Sequence, residues 1–233
     1  MVLNVFSTWH RSEARSSYVA LGDSIAWGLG AAQNRGYVDL FYKFLVKMID
    51  KKFILHNLAV PRFSTSSLYS QLRIDPNTKH KVKEAKLITI SIGGNNLLSA
   101  AGDNFSIIDE RCAALGVLSF QHDWPKILYE IRKRLKSKAS IYVMTLYNPY
   151  RGSDPNFTKA DSFIQEINRI ILNSAYIKKY KYEVVDVYSY FKGKMNENWK
   201  VCKWTHFCEK ERDPHPTDDG HSQIYMLHKG KLL

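Results

Sequence analysis

No apolar run in the 233-residue sequence approaches the roughly 18 residues that a membrane-spanning helix needs, which excludes a helical membrane protein from the classes considered. Cysteine is scarce. Cys112, Cys202 and Cys208 are too few for a disulfide framework, although Cys202 and Cys208 can either pair across a short loop or stay free thiols. With His206 they offer three ligands, but without a fourth or a standard spacing these do not make a zinc site. The chain has no internal repeat, no low-complexity linker, no zinc-finger spacing and no RNP-like aromatic motif. A dinucleotide fingerprint fails as well: after Gly28-Leu29-Gly30 the third glycine is replaced by Gln33, and the two glycines are expected to loosen a mobile loop. The start, 1–17, has only Val2–Phe6 as an apolar patch, shorter than the roughly 7 residues of the smallest signal-peptide core. No export signal is therefore expected, which leaves cytoplasmic residence and non-classical export both open.

Acidic residues are also in short supply, 22 against 34 lysines and arginines, for a formal charge of +12. Such a surplus draws a protein towards anionic surfaces such as phospholipid or cell-wall polymer. Nucleic acid would fit the charge too, but with no recognisable binding module it is not an expected partner. Much of the charge falls at exposed-looking helix positions (Arg132, Lys133, Arg134, Lys136, Lys138) and near 79–83 and 178–181, the pattern of a solvated basic face.

What is present is a regular alternation of strands and helices. Tyr18 to Leu21 is a short β-favouring run that breaks at Gly22 and delivers Ser24. Tyr37, Leu40, Phe41, Phe44, Leu45 and Met48 recur at helical spacing. Residues 53–60 read as a second strand entering a loop, 61–66, whose hydroxyls suit helix capping. A third strand, 87–92, ends at Gly93-Gly94-Asn95-Asn96. Residues 103–122 read as a partly helical insertion and a candidate lid, followed by a helix over 123–136 with Pro125 in its first turn. Strands over 140–146 and 182–187 flank a helix carrying Phe163, Ile167, Ile170, Ile171 and Ser174 on one face, and Thr217 is a natural cap for a last helix opening near Asp218. His221 and His228 read as helix-face residues. The alternation predicts a single α/β domain over 17–233, a three-layer α/β/α sandwich around a parallel sheet of about five strands, preceded by an extension over 1–16.

Parallel strands share one carboxyl edge, and ligands bind there, so Ser24 and Asn95 are expected to meet on it. A serine hydrolase needs a nucleophile, a histidine base, a group that orients the histidine and amide donors for the oxyanion. The G-x-S-x-G elbow is missing, since Gly220-His221-Ser222-Gln223-Ile224 fails at its last position. Gly22-Asp23-Ser24-Ile25, Gly93-Gly94-Asn95-Asn96 and His215-Pro216-Thr217 instead resemble, in order, three of the four blocks of the SGNH hydrolases, also called GDSL-type lipases and esterases.

The resemblance implies a flavodoxin-like SGNH fold, an acyl-enzyme on Ser24 with His215 as base, and no metal or organic cofactor. It implies an oxyanion hole made by the N–H groups of Ser24 and Arg62 with the Asn95 amide. Two positions depart from the family. Arg62 stands where the second block has glycine, and Arg212 stands where the acid three residues before the histidine is usual, leaving Asp213 as the orienting carboxylate. Asp218, Asp219 and Glu211 are the other carboxylates near in sequence. The expected substrate is a small-molecule or lipid ester, with Trp27, Phe63 and Tyr147 as candidate binding residues and a lysophospholipid among the candidates. The alternatives are a carbohydrate O-deacetylase of the same fold and a non-catalytic basic α/β module that binds an anionic ligand.

Overall fold

A computed structural model describes residues 16–193 and 199–233; the expected extension over 1–16 therefore lies, apart from Ser16, outside the described residues. Five strands, β1 Ser17–Gly22, β2 Ile54–Asn57, β3 Leu87–Ser91, β4 Ser140–Met144 and β5 Glu183–Val185, form one parallel sheet in the order β2-β1-β3-β4-β5. The chain leaves β1 for β2 on one side and returns to pair β3 on the other, which puts a crevice at the carboxyl ends of β1 and β3.

Eleven α-helices are described around the sheet: α1 Ser24–Trp27, α2 Tyr37–Met48, α3 Thr65–Ile74, α4 Pro76–Glu84, α5 Gly94–Leu98, α6 Glu110–Tyr129, α7 Phe157–Ile171, α8 Ser174–Tyr180, α9 Val187–Lys192, α10 Trp199–Trp204 and α11 Asp218–Lys229. Side chains alternate across a strand, so β1 serves two cores. Val19 and Leu21 pack with Ile88, Ile90, Phe120 and Trp124 on the α6 face, while Tyr18 and Ala20 pack with Phe41, Leu45 and Ile224 on the α2 and α11 face.

Several elements differ from the sequence reading. β2 stops at Asn57, three residues short, because the Asn57 side chain turns back to donate to the Ala26 carbonyl and accept the Ala59 N–H. The segment over 103–122 is mostly not a lid: α6 begins at Glu110, capped by Asp109 through the N–H groups of Arg111 and Cys112. Its buried stripe, Ala113, Gly116, Val117, Phe120, Trp124, Ile127 and Leu128, runs straight past Pro125. The proline is thus inside the helix rather than in a first turn. Burial of that stripe outweighs the roughly 3 kcal/mol a mid-helix proline costs.

Ser174 opens α8 instead of lying on the α7 face, since Asn173 caps a new helix there. The hydroxyl of Ser64 bonds to Ser66 and Ser67 rather than capping α3; the Thr65 N–H is met by the Asn96 side chain from across the sheet. Arg132 is not a solvated cation, for it donates to the carbonyls of Tyr180, Ser137, Ala139 and Lys181 and ties the α6 end to the β4 and β5 entries.

His221 and His228 are fully buried. His221 accepts the Tyr37 N–H at Nδ1 and meets the Leu29 carbonyl through Nε2, a pairing that requires the neutral ring. Burial pushes both imidazoles down to about 4. Between that value and the roughly 6.5 of an unfolded histidine, the unfolded chain binds protons that the folded chain refuses, so stability is lost as the pH falls through this window. Asp23, pushed up to about 6 by burial, acts in the opposite sense, as does the raised His206, while the lowered His56 acts with the two buried histidines. The urea midpoint is expected to drop between pH 7 and 4.5 and to drop less in His228→Phe. An equal fall in the variant and the parent would contradict the assignment.

Candidate active site

The site is built at the crevice between β1 and β3. Gly22 takes φ 128, and a Cβ there would stand 1.8 Å from the Ser91 carbonyl oxygen, so only glycine lets β1 end this close to β3. The next residue locks the junction. The Asp23 N–H donates to the Ser91 carbonyl at 3.0 Å, and its carboxylate accepts the Ser91 hydroxyl at 3.0 Å and the Ile25 N–H at 3.1 Å. Ser24 then stands as the first residue of α1, held by a turn fixed at both ends.

His215 comes from the loop before α11. That loop is strapped to the segment after α10: the His206 N–H donates to the His215 carbonyl at 3.1 Å, the Thr217 N–H donates to the Trp204 carbonyl at 2.9 Å, and Thr205 pairs with Pro216 as an antiparallel bridge. A Cys202–Cys208 disulfide closes the strapping segment, which settles the pairing left open by the sequence and removes both sulfurs from any metal role. On its other side the loop meets Gly30, where a Cβ would stand 2.2 Å from the Pro216 carbonyl oxygen. Gly30, at φ 89, is thus required for close packing against the His215 loop. The Tyr147 hydroxyl also donates to the Pro214 carbonyl, at 2.5 Å.

These supports bring three sequence-distant groups into one chain of hydrogen bonds. His215 Nε2 lies 2.8 Å from Ser24 Oγ, and His215 Nδ1 lies 2.5 Å from Asp213 Oδ1. The same Asp213 oxygen accepts the His215 backbone N–H at 2.9 Å. An aspartate that bonds the N–H two residues ahead forms an Asx turn, and the turn is what lets a carboxylate only two residues away reach the ring. The bond to His215 also holds the Asp213 carboxyl below the usual carboxylate range. Arg212 instead pairs with Asp154 at 3.0 Å and donates to the Phe105 carbonyl at 3.3 Å. Asp218 accepts the Ala32 N–H, and Asp219 pairs with Lys203.

Arg62 has φ 68, the left-handed region that glycine occupies freely. Asn95 donates one amide hydrogen to the Phe63 carbonyl at 2.9 Å, which pins the Arg62 turn to the β3 end and leaves its second hydrogen free. Asn96 backs this arrangement, bonding both the N–H and the hydroxyl of Thr65. Among the described residues, the N–H groups of Ser24 and Arg62 form no hydrogen bond. Ser24, Arg62, Asn95 and His215 all line one cavity of about 420 Å³.

Away from these groups the cavity wall is apolar, with Leu97, Ala113, Met144, Leu146, Phe163 and Ile164 among its residues. Ala100 and Ala101 contribute from just after α5, and Phe105, Ile108 and Ala113 are the residues of the expected lid segment, 103–122, that do border the site. Of the three candidate binding residues, Tyr147 is in the wall; Trp27 is exposed and Phe63 packs on the α6-side core. Sequence reasoning gave no supporting role in the site to Asp23, or to His206, which it weighed only as a metal ligand. Asp23 was in view as part of the turn, but its partner Ser91 is 68 residues away. His206 bonds the Gly30 carbonyl at 3.0 Å, a contact that no local pattern announces.

A sequence model of the GDSL-like Lipase/Acylhydrolase family matches residues 20–223. The chain is 29% identical over 184 residues to the spore germination lipase LipC of Bacillus licheniformis, covering 77% of this chain and 84% of that protein. Among solved structures it is similar to the lipase Lip_vut3 from a goat rumen metagenome, with a TM-score of 0.72, 25% identity, and coverage of 92% of this chain and 96% of that one. Phospholipase A1 from Streptomyces albidoflavus NA297 shares the fold, with a TM-score of 0.67 at 19% identity over 94% of this chain and 100% of that one.

Proposed function

Because the chain belongs to the GDSL-like lipase/acylhydrolase family, whose members hydrolyse ester bonds, we propose that it cleaves fatty-acyl esters through an acyl-enzyme on Ser24. The observation that carries the reading is the continuous bonding from Ser24 Oγ through His215 to Asp213 at the mouth of an apolar cavity. His215 Nε2 takes the Ser24 proton as Oγ attacks the ester carbonyl, and Asp213 holds the ring with its Nδ1–H in place. Charge develops on the carbonyl oxygen. The free N–H groups of Ser24 and Arg62 and the unused hydrogen of the Asn95 amide receive it. The imidazolium then protonates the departing alkoxide, and a water activated by His215 releases the acid.

The apolar wall supports an acyl chain longer than acetyl, which disfavours the carbohydrate deacetylase. A module that only binds anions has no use for a serine bonded to a carboxylate-backed histidine. The +12 charge supports approach to an anionic lipid or cell-wall surface. Each methylene buried in the wall is worth about 0.8 kcal/mol, or roughly fourfold in kcat/KM, until the cavity is filled. A p-nitrophenyl ester series from acetate to palmitate, run beside acetylated xylan, is therefore expected to rise from acetate to a medium or long chain. A maximum at acetate or on the xylan would overturn the fatty-acyl reading.

A further inference from the structure

We propose that Arg62 selects esters whose alcohol carries an anionic group, a phosphate above all. The proposal rests on the ester-hydrolase reading above and adds the identity of the leaving group. Arg62 is both part of the cavity wall and exposed, so it stands at the opening. A substrate that lays its acyl chain along the apolar wall and its carbonyl at Ser24 leaves its alcohol at that opening, beside the guanidinium.

Three features of this residue point the same way. Its backbone is held at φ 68, where a side chain costs on the order of 1 kcal/mol that glycine would not incur, and strain of this kind, held in place by the surrounding structure, clusters at functional sites. Among the described residues the guanidinium makes no hydrogen bond or ion pair, whereas that of Arg212 is committed to Asp154 and Phe105. The carboxylate that the cavity wall does hold is already committed elsewhere. Asp23, the acidic residue of that wall, is buried beneath Ser24 and bonded to Ser91 and Ile25. A planar guanidinium free at the mouth matches two phosphate oxygens at once, which neither a lysine nor the glycine of the family pattern can do.

The test compares 1-octanoylglycerol with 1-octanoylglycerol 3-phosphate, below their micelle concentrations, in the parent, Arg62→Gly, Arg62→Lys and Arg62→Glu. The readout is the ratio of kcat/KM for the phosphorylated over the neutral ester. Any change in the oxyanion hole acts on both substrates and cancels in that ratio. Arg62→Gly relieves the left-handed strain and is expected to fold. The ratio is expected to fall roughly ten- to a hundredfold in Arg62→Gly, as loss of a hydrogen bond to a charged group implies, less in Arg62→Lys and furthest in Arg62→Glu. In the parent it should shrink with added salt. A ratio unchanged in Arg62→Gly and Arg62→Glu overturns the proposal while turnover of the neutral ester still supports ester hydrolysis. A parent that cleaves neither ester refutes both readings.

Discussion

Ser24→Ala is expected to lower kcat on any accepted ester by roughly 10⁴- to 10⁶-fold, the scale seen when a triad nucleophile is removed. Nothing else in the cavity wall replaces it, since the other hydroxyls there, Tyr147 and Tyr150, donate to the Pro214 and Phe105 carbonyls. Burial raises both phenols further from ionisation. The turn should survive the change, because Asp23, not Ser24, makes the bonds to Ser91 and Ile25. An unchanged thermal midpoint with activity lost is therefore the expected pair of results. Activity within tenfold of the parent in a folded Ser24→Ala protein would remove the nucleophile assignment.

Asp213→Asn is expected to cost nearly as much, about 10⁴-fold in kcat if the amide reverses the ring tautomer as it does in the best-studied triad. The carboxylate meets Nδ1 and the His215 N–H through one oxygen, so an asparagine keeps the Asx turn through its carbonyl and can present that same oxygen to the ring. The size of the loss thus reads how much of the effect is charge and how much is geometry. Asp218→Asn and Asp219→Asn are the controls, since those carboxylates are engaged by Ala32 and Lys203. A loss below roughly tenfold in Asp213→Asn, or one matched by either control, would point to a Ser-His dyad with the ring oriented by other means.

The succession of strands along the chain and the edge on which the candidate site lies were legible because they rest on short-range signals. Apolar runs of strand length ending at Gly22 and Gly93 were read from a few neighbouring residues each. The span of α6 was not, since Pro125 carries a strong local signal for a helix start while the stripe that overrides it takes its energy from Trp124 and Phe120 packing across the sheet. His221 and His228 do lie on a helix face, as read, but that the face is the buried one was not legible. A histidine is usually partly exposed, and for His221 only the approach of Tyr37 and Leu29 from 184 and 192 residues away makes burial tolerable, while His228 bonds the Ile224 carbonyl of its own helix.

Within the site, Ser24, Asn95 and His215 came from motif blocks, and the reach of Asp213 was open until its backbone geometry was known. The conformation of Arg62 could not be read at all. Sequence identifies the departure from glycine, but whether the chain bends around it or holds it at positive φ depends on the Asn95 to Phe63 bond, which joins α5 to the loop before α3. The cavity wall drew on seven separate stretches, so the aromatic residues nearest in sequence to the rim were poor guides to it; Trp27 and Phe63 lie outside, and Tyr147 within.

The most direct measurement of the central claim is the site of covalent capture. A fluorophosphonate phosphonylates a hydroxyl, with loss of fluoride, only where a base and oxyanion donors already surround it, so it reads Ser24, His215 and the amide donors together. Peptide mass spectrometry of the labelled native protein is expected to place the adduct on Ser24, with ester turnover lost in proportion and no adduct in His215→Ala. An adduct on Ser64 or Ser222, or an active preparation that stays unlabelled, would contradict it.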